Sequence, residues 1–123
     1  MKNGLVIIAT IFLFVAGNVT AQNVVGITFI SSLSQGDSGP AVLSLQKLLN
    51  NDSDTKIANF GVGSPGFETN YFGVLTKNAV IRFQEKYKSE VLTPAGLSRG
   101  TGYVGAFTIK KLNALAKADT SVV

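Results

Sequence analysis

One stretch of this chain occurs twice. Ala41-Val42-Leu43-Ser44-Leu45-Gln46 returns 38 residues later as Ala79-Val80-Ile81-Arg82-Phe83-Gln84, and both copies read Ala-Val-apolar-X-apolar-Gln. Apolar residues three and four apart share one face of an α-helix, so each copy predicts an amphipathic helix. Periodicity does not ask for the shared glutamine, which makes the match more than a coincidence of two amphipathic patterns. A second echo pairs Phe72-Gly73-Val74-Leu75-Thr76 with Val104-Gly105-Ala106-Phe107-Thr108, and each threonine is followed by apolar residues four and seven positions later. The echoes predict helical units packed with approximate internal symmetry, too few to form a solenoid with an extended surface. At each helix start the glycine is expected to relieve the backbone and the threonine to look toward the core.

Three helices follow from this pattern. The first spans about 38–50: Gly36-Asp37-Ser38 offers capping oxygens, Pro40 suits a first turn where its missing N–H is no loss, and Val42, Leu45 and Leu49 share a face. The second begins after Gly73 and reaches about Tyr87, with Thr76, Val80, Phe83 and Tyr87 along one side. The third begins after Gly105, where Thr108, Leu112 and Leu115 repeat the spacing, and frays beyond Lys117. The fold class is therefore all-α with long loops. The connection 51–72 is long for so small a domain and contains Gly61-Val62-Gly63-Ser64-Pro65-Gly66, either a flexible turn or part of a packed loop. Phe60, Phe67, Tyr71 and Phe72 give it apolar weight and favour order. In the second connection, 88–104, Leu92 and Leu97 are placed to close the core beneath a turn.

The N-terminus reads as a targeting segment. Lys2 precedes an almost unbroken apolar run from Leu5 to Val15, followed by Val19-Thr20-Ala21 with small residues where a signal peptidase cuts. The run is shorter than the roughly 20 residues that span a hydrocarbon core. Cleavage after Ala21 is the expectation, with a retained membrane anchor as the alternative. The chain divides into a signal peptide (1–21), an N-terminal lead (22–32), a domain (33–117) and a tail (118–123), and its location is secreted or in the cell envelope. With no cysteine, an exported domain of this size stays folded by packing alone. The net charge of +4 suits an anionic envelope, and the dispersed basic residues do not form a nucleic-acid footprint.

The ordered set Gly36-Asp37-Ser38-Gly39-Pro40-Ala41-Val42, Leu45-Gln46, Leu49, Phe72-Gly73, Thr76, Ala79-Val80, Phe83-Gln84, Gly96-Leu97, Gly102, Val104-Gly105, Thr108 and Leu112 resembles the peptidoglycan-binding-like domain. The resemblance covers about 33–115. It implies a compact three-helix bundle that attaches exported proteins, often cell-wall hydrolases, to the bacterial wall. Its structural motif in this chain consists of Gly36, Val42, Leu45, Gln46, Gly73, Thr76, Val80, Phe83, Gln84, Gly105, Thr108 and Leu112. The chain departs from the family pattern in Thr69-Asn70-Tyr71-Phe72-Gly73, where an Asp-Gly pair is common, and in Val74, where proline is frequent.

Catalytic machinery is sparse. Without histidine or cysteine the chain holds no Cys nucleophile, no Ser-His-Asp triad and no ordinary His/Cys zinc site. Two carboxylates suffice for glycoside hydrolysis, and the acids available are Asp37, Asp52, Asp54, Glu68, Glu85 and Glu90. Asp37 reads as a helix cap, Asp52 and Asp54 as turn residues, and Glu85 as a solvated side chain between basic neighbours. Asn50, Asn51, Asp52 and Asp54 offer oxygens to calcium but lack the spacing of an EF-hand. The glycine-rich run 61–66 lacks the Lys-Ser/Thr ending of a phosphate loop. The expectation is a non-enzymatic module with no metal and no cofactor.

A binding role needs a shallow groove, polar groups and an aromatic face. The candidates are Asn70 and Tyr71 before the second helix, Arg99 and Tyr103 before the third, and Lys77, with Arg99 or Lys77 suited to a stem-peptide carboxylate. The competing roles are plain ones. Tyr71 and Tyr103 would merely close the core, Lys77 and Arg99 would be solvated, and Gln46 and Gln84 would cap backbone groups. The expected partner is peptidoglycan, through its glycan or its stem peptide. A protein of the envelope, or a separate cell-wall hydrolase, is the alternative.

Overall fold

A computed structural model describes residues 27–121. The signal segment, its expected cut after Ala21, and residues 22–26 of the lead lie outside the described residues, as do the last two of the tail.

The fold is all-α. Helices α1 (Pro40–Asn50), α2 (Val74–Lys86) and α4 (Ala106–Ser121) stand where the repeats predict them, and a one-turn helix, α3 (Lys88–Val91), follows α2 directly. No strand occurs among the described residues, only isolated antiparallel bridges at Leu33–Val104 and Ser38–Tyr71. No helix among them is long and apolar enough to cross a membrane. Most of the expected faces are buried: Val42, Leu45 and Leu49 from α1, Val80 and Phe83 from α2, and Leu112 from α4 form one cluster with Ala79, Phe72, Val104, Leu33 and Ile57, while Tyr87 and Leu115 are only partly buried against it. Phe29 joins them. Its backbone N–H donates to Asn113 Oδ1 at 2.7 Å and its carbonyl accepts from Asn113 Nδ2 at 2.9 Å, so the packed fold reaches back at least to this residue.

Several local readings are corrected. Asp37 does not cap α1, whose N-cap is Gly39 with no side-chain hydrogen bond. Instead the Asp37 carboxylate accepts from the Ser34 N–H at 2.8 Å and closes the preceding turn. The second connection is not all loop: α3 and a 3-10 turn (Thr93–Ala95) occupy its first half. Val91 and Leu92 are buried there, whereas Leu97 is exposed and closes nothing. Helix α4 continues past Lys117 to Ser121, consistent with Ala114, Ala116 and Ala118, since alanine has the strongest helix preference.

The long connection 51–72 is ordered, but polar staples rather than aromatic packing hold it. Of its four aromatics only Phe72 is buried, while Phe60, Phe67 and Tyr71 are 86%, 67% and 52% exposed. Asn50 is the main staple: its Nδ2 donates to Gly63 O at 2.9 Å and Glu68 Oε2 at 2.8 Å, and its Oδ1 accepts from Ile57 N–H at 2.8 Å. The glycine-rich run is a tight turn in which Gly63 N–H donates to Phe67 O at 2.8 Å.

Asp52 and Asp54 fix the start of this connection to α2 by pairing with Lys86, at 2.9 Å in the case of Asp54. The Lys86 hydrogen bond, helped by the Asp54 N–H, holds the Asp52 carboxyl below its ordinary 3.8. Ionised Asp52 is thus favoured by folding. Its contribution is fully present above 3.8 and is lost as pH falls through the lower folded value. Urea unfolding of the native chain and of Asp52→Asn should therefore differ at neutral pH and converge under acid. A gap that persists unchanged in acid would show that the pair does not titrate.

Candidate functional site

The two shared glutamines are buried, and each ties its helix to the loop that opens the next one. On α1, Gln46 Nε2 donates to Tyr71 O at 2.8 Å and Thr76 Oγ1 at 3.0 Å, while Gln46 Oε1 accepts from Thr69 N–H at 2.7 Å. On α2, Gln84 Nε2 donates to Tyr103 O at 2.7 Å and Thr108 Oγ1 at 3.1 Å, while Gln84 Oε1 accepts from Thr101 N–H at 2.8 Å and Gly102 N–H at 3.0 Å. Both side chains satisfy backbone groups. A planar carboxamide presents donors and an acceptor on opposite corners, so one side chain satisfies both ends of a tight loop. The buried threonines supply the remaining acceptors. The loop itself repeats: Tyr71 N–H donates to Thr69 Oγ1 at 3.2 Å, and Tyr103 N–H to Thr101 Oγ1 at 3.1 Å.

The tyrosines do not close the core. Each is 52% exposed, and the residue after each, Phe72 or Val104, enters the core instead. Neither phenol hydroxyl has a hydrogen-bond partner among the described residues. Each ring lies over the glycine two residues on. A Cβ at Gly73 would stand 3.4 Å from Tyr71 Cε2, and one at Gly105 would stand 3.1 Å from Tyr103 Cε2. Gly73 has φ −94°, an extended conformation open to any residue, and Gly105 is likewise not in the left-handed region. These glycines make room for a ring; they do not relieve the backbone.

The other candidates divide. Asn70 is exposed, and its carbonyl accepts from Gly39 N–H at 2.8 Å. Lys77 is half-buried, with its stem against the second loop: a Cβ at Gly102 would fall 2.5 Å from Lys77 Cγ. Gly102 also has φ +81°, so position 102 needs glycine both for the backbone and for this approach. Lys77 therefore ties α2 to the second tyrosine loop. Arg99 is exposed, has no side-chain partner among the described residues and does not line the groove beside Tyr103.

Sequence reasoning missed the apolar neighbours of the tyrosines. Val74 and Leu75 are exposed beside Tyr71, as are Ala106 and Phe107 beside Tyr103. A groove of about 190 Å³ runs along the second patch between Leu97, Thr101, Tyr103 and Phe107, and Phe107 also borders a hollow of about 330 Å³ carrying Glu90, Lys110 and Lys111. The signal for these residues was present in the second echo, whose positions after the glycine are apolar in both copies.

Most of the candidate acids hold loops, whereas Glu90 pairs with Lys111 at 3.0 Å and joins α3 to α4. Glu85 is not simply solvated, since its carboxylate accepts from the Gly100 N–H, and Glu68 accepts from Asn50 and from Gly66 N–H at 3.1 Å. Burial pushes the Glu68 carboxyl up, but the Asn50 side chain and neighbouring N–H groups outweigh it and leave it below the ordinary range. A glycosidase general acid needs the opposite shift. Comparison with protein-family models, curated proteins and solved structures finds no match to this chain.

Proposed function

We propose that this chain is an exported, non-catalytic module that binds bacterial cell-wall peptidoglycan through the loops carrying Tyr71 and Tyr103, on a three-helix arrangement of the peptidoglycan-binding type. The observation that carries this reading is the pair of half-exposed tyrosines with unengaged hydroxyls, each fixed by a buried glutamine. Ordered loops lose little entropy on binding, and an exposed ring with a free hydroxyl suits the faces and hydroxyls of sugars. The motif residues of the sequence resemblance, Gln46, Thr76, Gln84 and Thr108, are those that build the glutamine locks, which links the resemblance to the loops. Lys77 and Lys110 supply cationic groups for stem-peptide carboxylates.

Co-sedimentation of the full chain with insoluble peptidoglycan tests the reading. Saturable binding is expected, with release on muramidase digestion and loss of most binding in Tyr71→Ala/Tyr103→Ala at unchanged helical content. Binding undiminished in that variant would move the site elsewhere. A second reading, a protein partner in the envelope or a separate hydrolase, is favoured by Phe60, Val62 and Phe67, which are all largely exposed on the stapled loop. Wall binding absent in the native chain would favour it.

A further inference from the structure

The two tyrosine loops are copies in three dimensions as well as in sequence. Thr69-Asn70-Tyr71-Phe72-Gly73 and Thr101-Gly102-Tyr103-Val104-Gly105 each place threonine as the acceptor for the tyrosine N–H. Each buries the residue after the tyrosine, lays the ring over the following glycine and exposes the same fraction of the tyrosine, 52%. Both are followed by two exposed apolar residues on the first turn of a helix.

The fold does not require this likeness on the outside. Each glutamine holds the tyrosine by its backbone carbonyl, so many side chains would serve the lock at 71 and 103. The buried half of the repeat follows from packing, but the exposed half does not. A single recognition point would need only one aromatic patch.

The two patches are also neighbours, linked by the segment before α1. Leu33 pairs with Val104, and Gly39 N–H and Asp37 O hold Asn70 and Phe72. Ser38, which bridges Tyr71, is five positions after Leu33, so these two anchor points lie within about 18 Å even at full extension. Lys77 tightens the connection: its helix starts at the first loop and its stem lies on Gly102 of the second.

From this duplication we infer that Tyr71 and Tyr103 mark two quasi-equivalent subsites that engage successive repeats of one polymer. The ligand class is thus a chain of identical units rather than a single small molecule. The inference rests on the peptidoglycan reading and specifies it: the module recognises the repeat of the wall polymer and not one terminal group. The Tyr103 subsite is backed by the groove at Leu97 and Phe107.

Calorimetry of the full chain with purified muramidase fragments of one and of two disaccharide-peptide repeats tests it. The one-repeat fragment should fill two sites. The two-repeat fragment should bind one-to-one and at least roughly 10-fold tighter, because its second contact is intramolecular. Tyr71→Ala or Tyr103→Ala alone should abolish that gain and halve the one-repeat stoichiometry, and Tyr→Leu at either position serves where alanine disturbs folding. Equal affinity for the two fragments, or a length gain that survives either single substitution, overturns the two-subsite inference while leaving wall binding intact. Failure of the native chain to bind sacculi or either fragment overturns the peptidoglycan reading, and the inference with it.

Discussion

Gln84→Leu is expected to lower the stability of the chain by about 2–5 kcal/mol, read from the urea midpoint at unchanged slope. The side chain is 2% exposed and satisfies four groups, Tyr103 O, Thr108 Oγ1 and the N–H groups of Thr101 and Gly102. Leucine is of similar size, so the change removes hydrogen bonds without opening a large cavity. Thr108 can turn its hydroxyl to a carbonyl of its own helix. The Gly102 N–H, in a buried bond, has no such recourse, and stranding a buried polar group costs about 1–3 kcal/mol. Against a total stability of about 5–15 kcal/mol this is a large fraction. Gln46→Leu should behave alike, since its partners are the equivalent groups around Tyr71. A loss under about 1 kcal/mol at either position would show that the loops are held by other contacts.

How much of this was legible beforehand depends on the range of the interaction. The three long helices were readable because their buried faces recur at helical spacing within a dozen residues: Val42, Leu45 and Leu49 are all fully buried. The shared glutamine was visible as an anomaly and its backbone-capping role was anticipated, but the partners of the two copies lie 17 to 30 residues away, beyond any periodic rule. Asp37 was misread for a local reason. An aspartate before a helix has competing N–H donors, and here the turn at Gly36, with φ +103°, brings its carboxylate to Ser34 behind rather than to the first turn ahead. Phe60 and Phe67 were read as packing because they are apolar, yet burial is a one-way rule and exposed apolar residues are common. The order of that loop instead comes from Asn50, a polar residue whose three partners span 57 to 68. At the candidate site, Tyr71, Tyr103 and Arg99 follow from their positions before the helices and Lys77 from its charge, but neither position nor charge determines where a flexible side chain on a bend, such as that of Arg99, will lie.

Phe72 joins the core to the candidate site, and Phe72→Ala should cost about 3–5 kcal/mol, at the upper end for a buried phenylalanine. The expected severity follows from how little the position can relax. Phe72 is completely buried, its N–H donates to Asp37 O at 2.9 Å and its carbonyl accepts from Gly36 N–H at 2.9 Å. A backbone pinned on both sides cannot sink into the vacated space, so the cavity term is retained in full. The equivalent change at Val104 removes a smaller side chain from a position equally buried and equally paired, with Leu33, and should cost roughly half as much. Thermal or urea unfolding of the two variants therefore separates volume from position. If both lose the same amount, the repeat is rigid and the pinned loops dominate; if Phe72→Ala loses little, residues 36–37 and 70–72 shift together and the Tyr71 loop is less firmly held than its hydrogen bonds indicate.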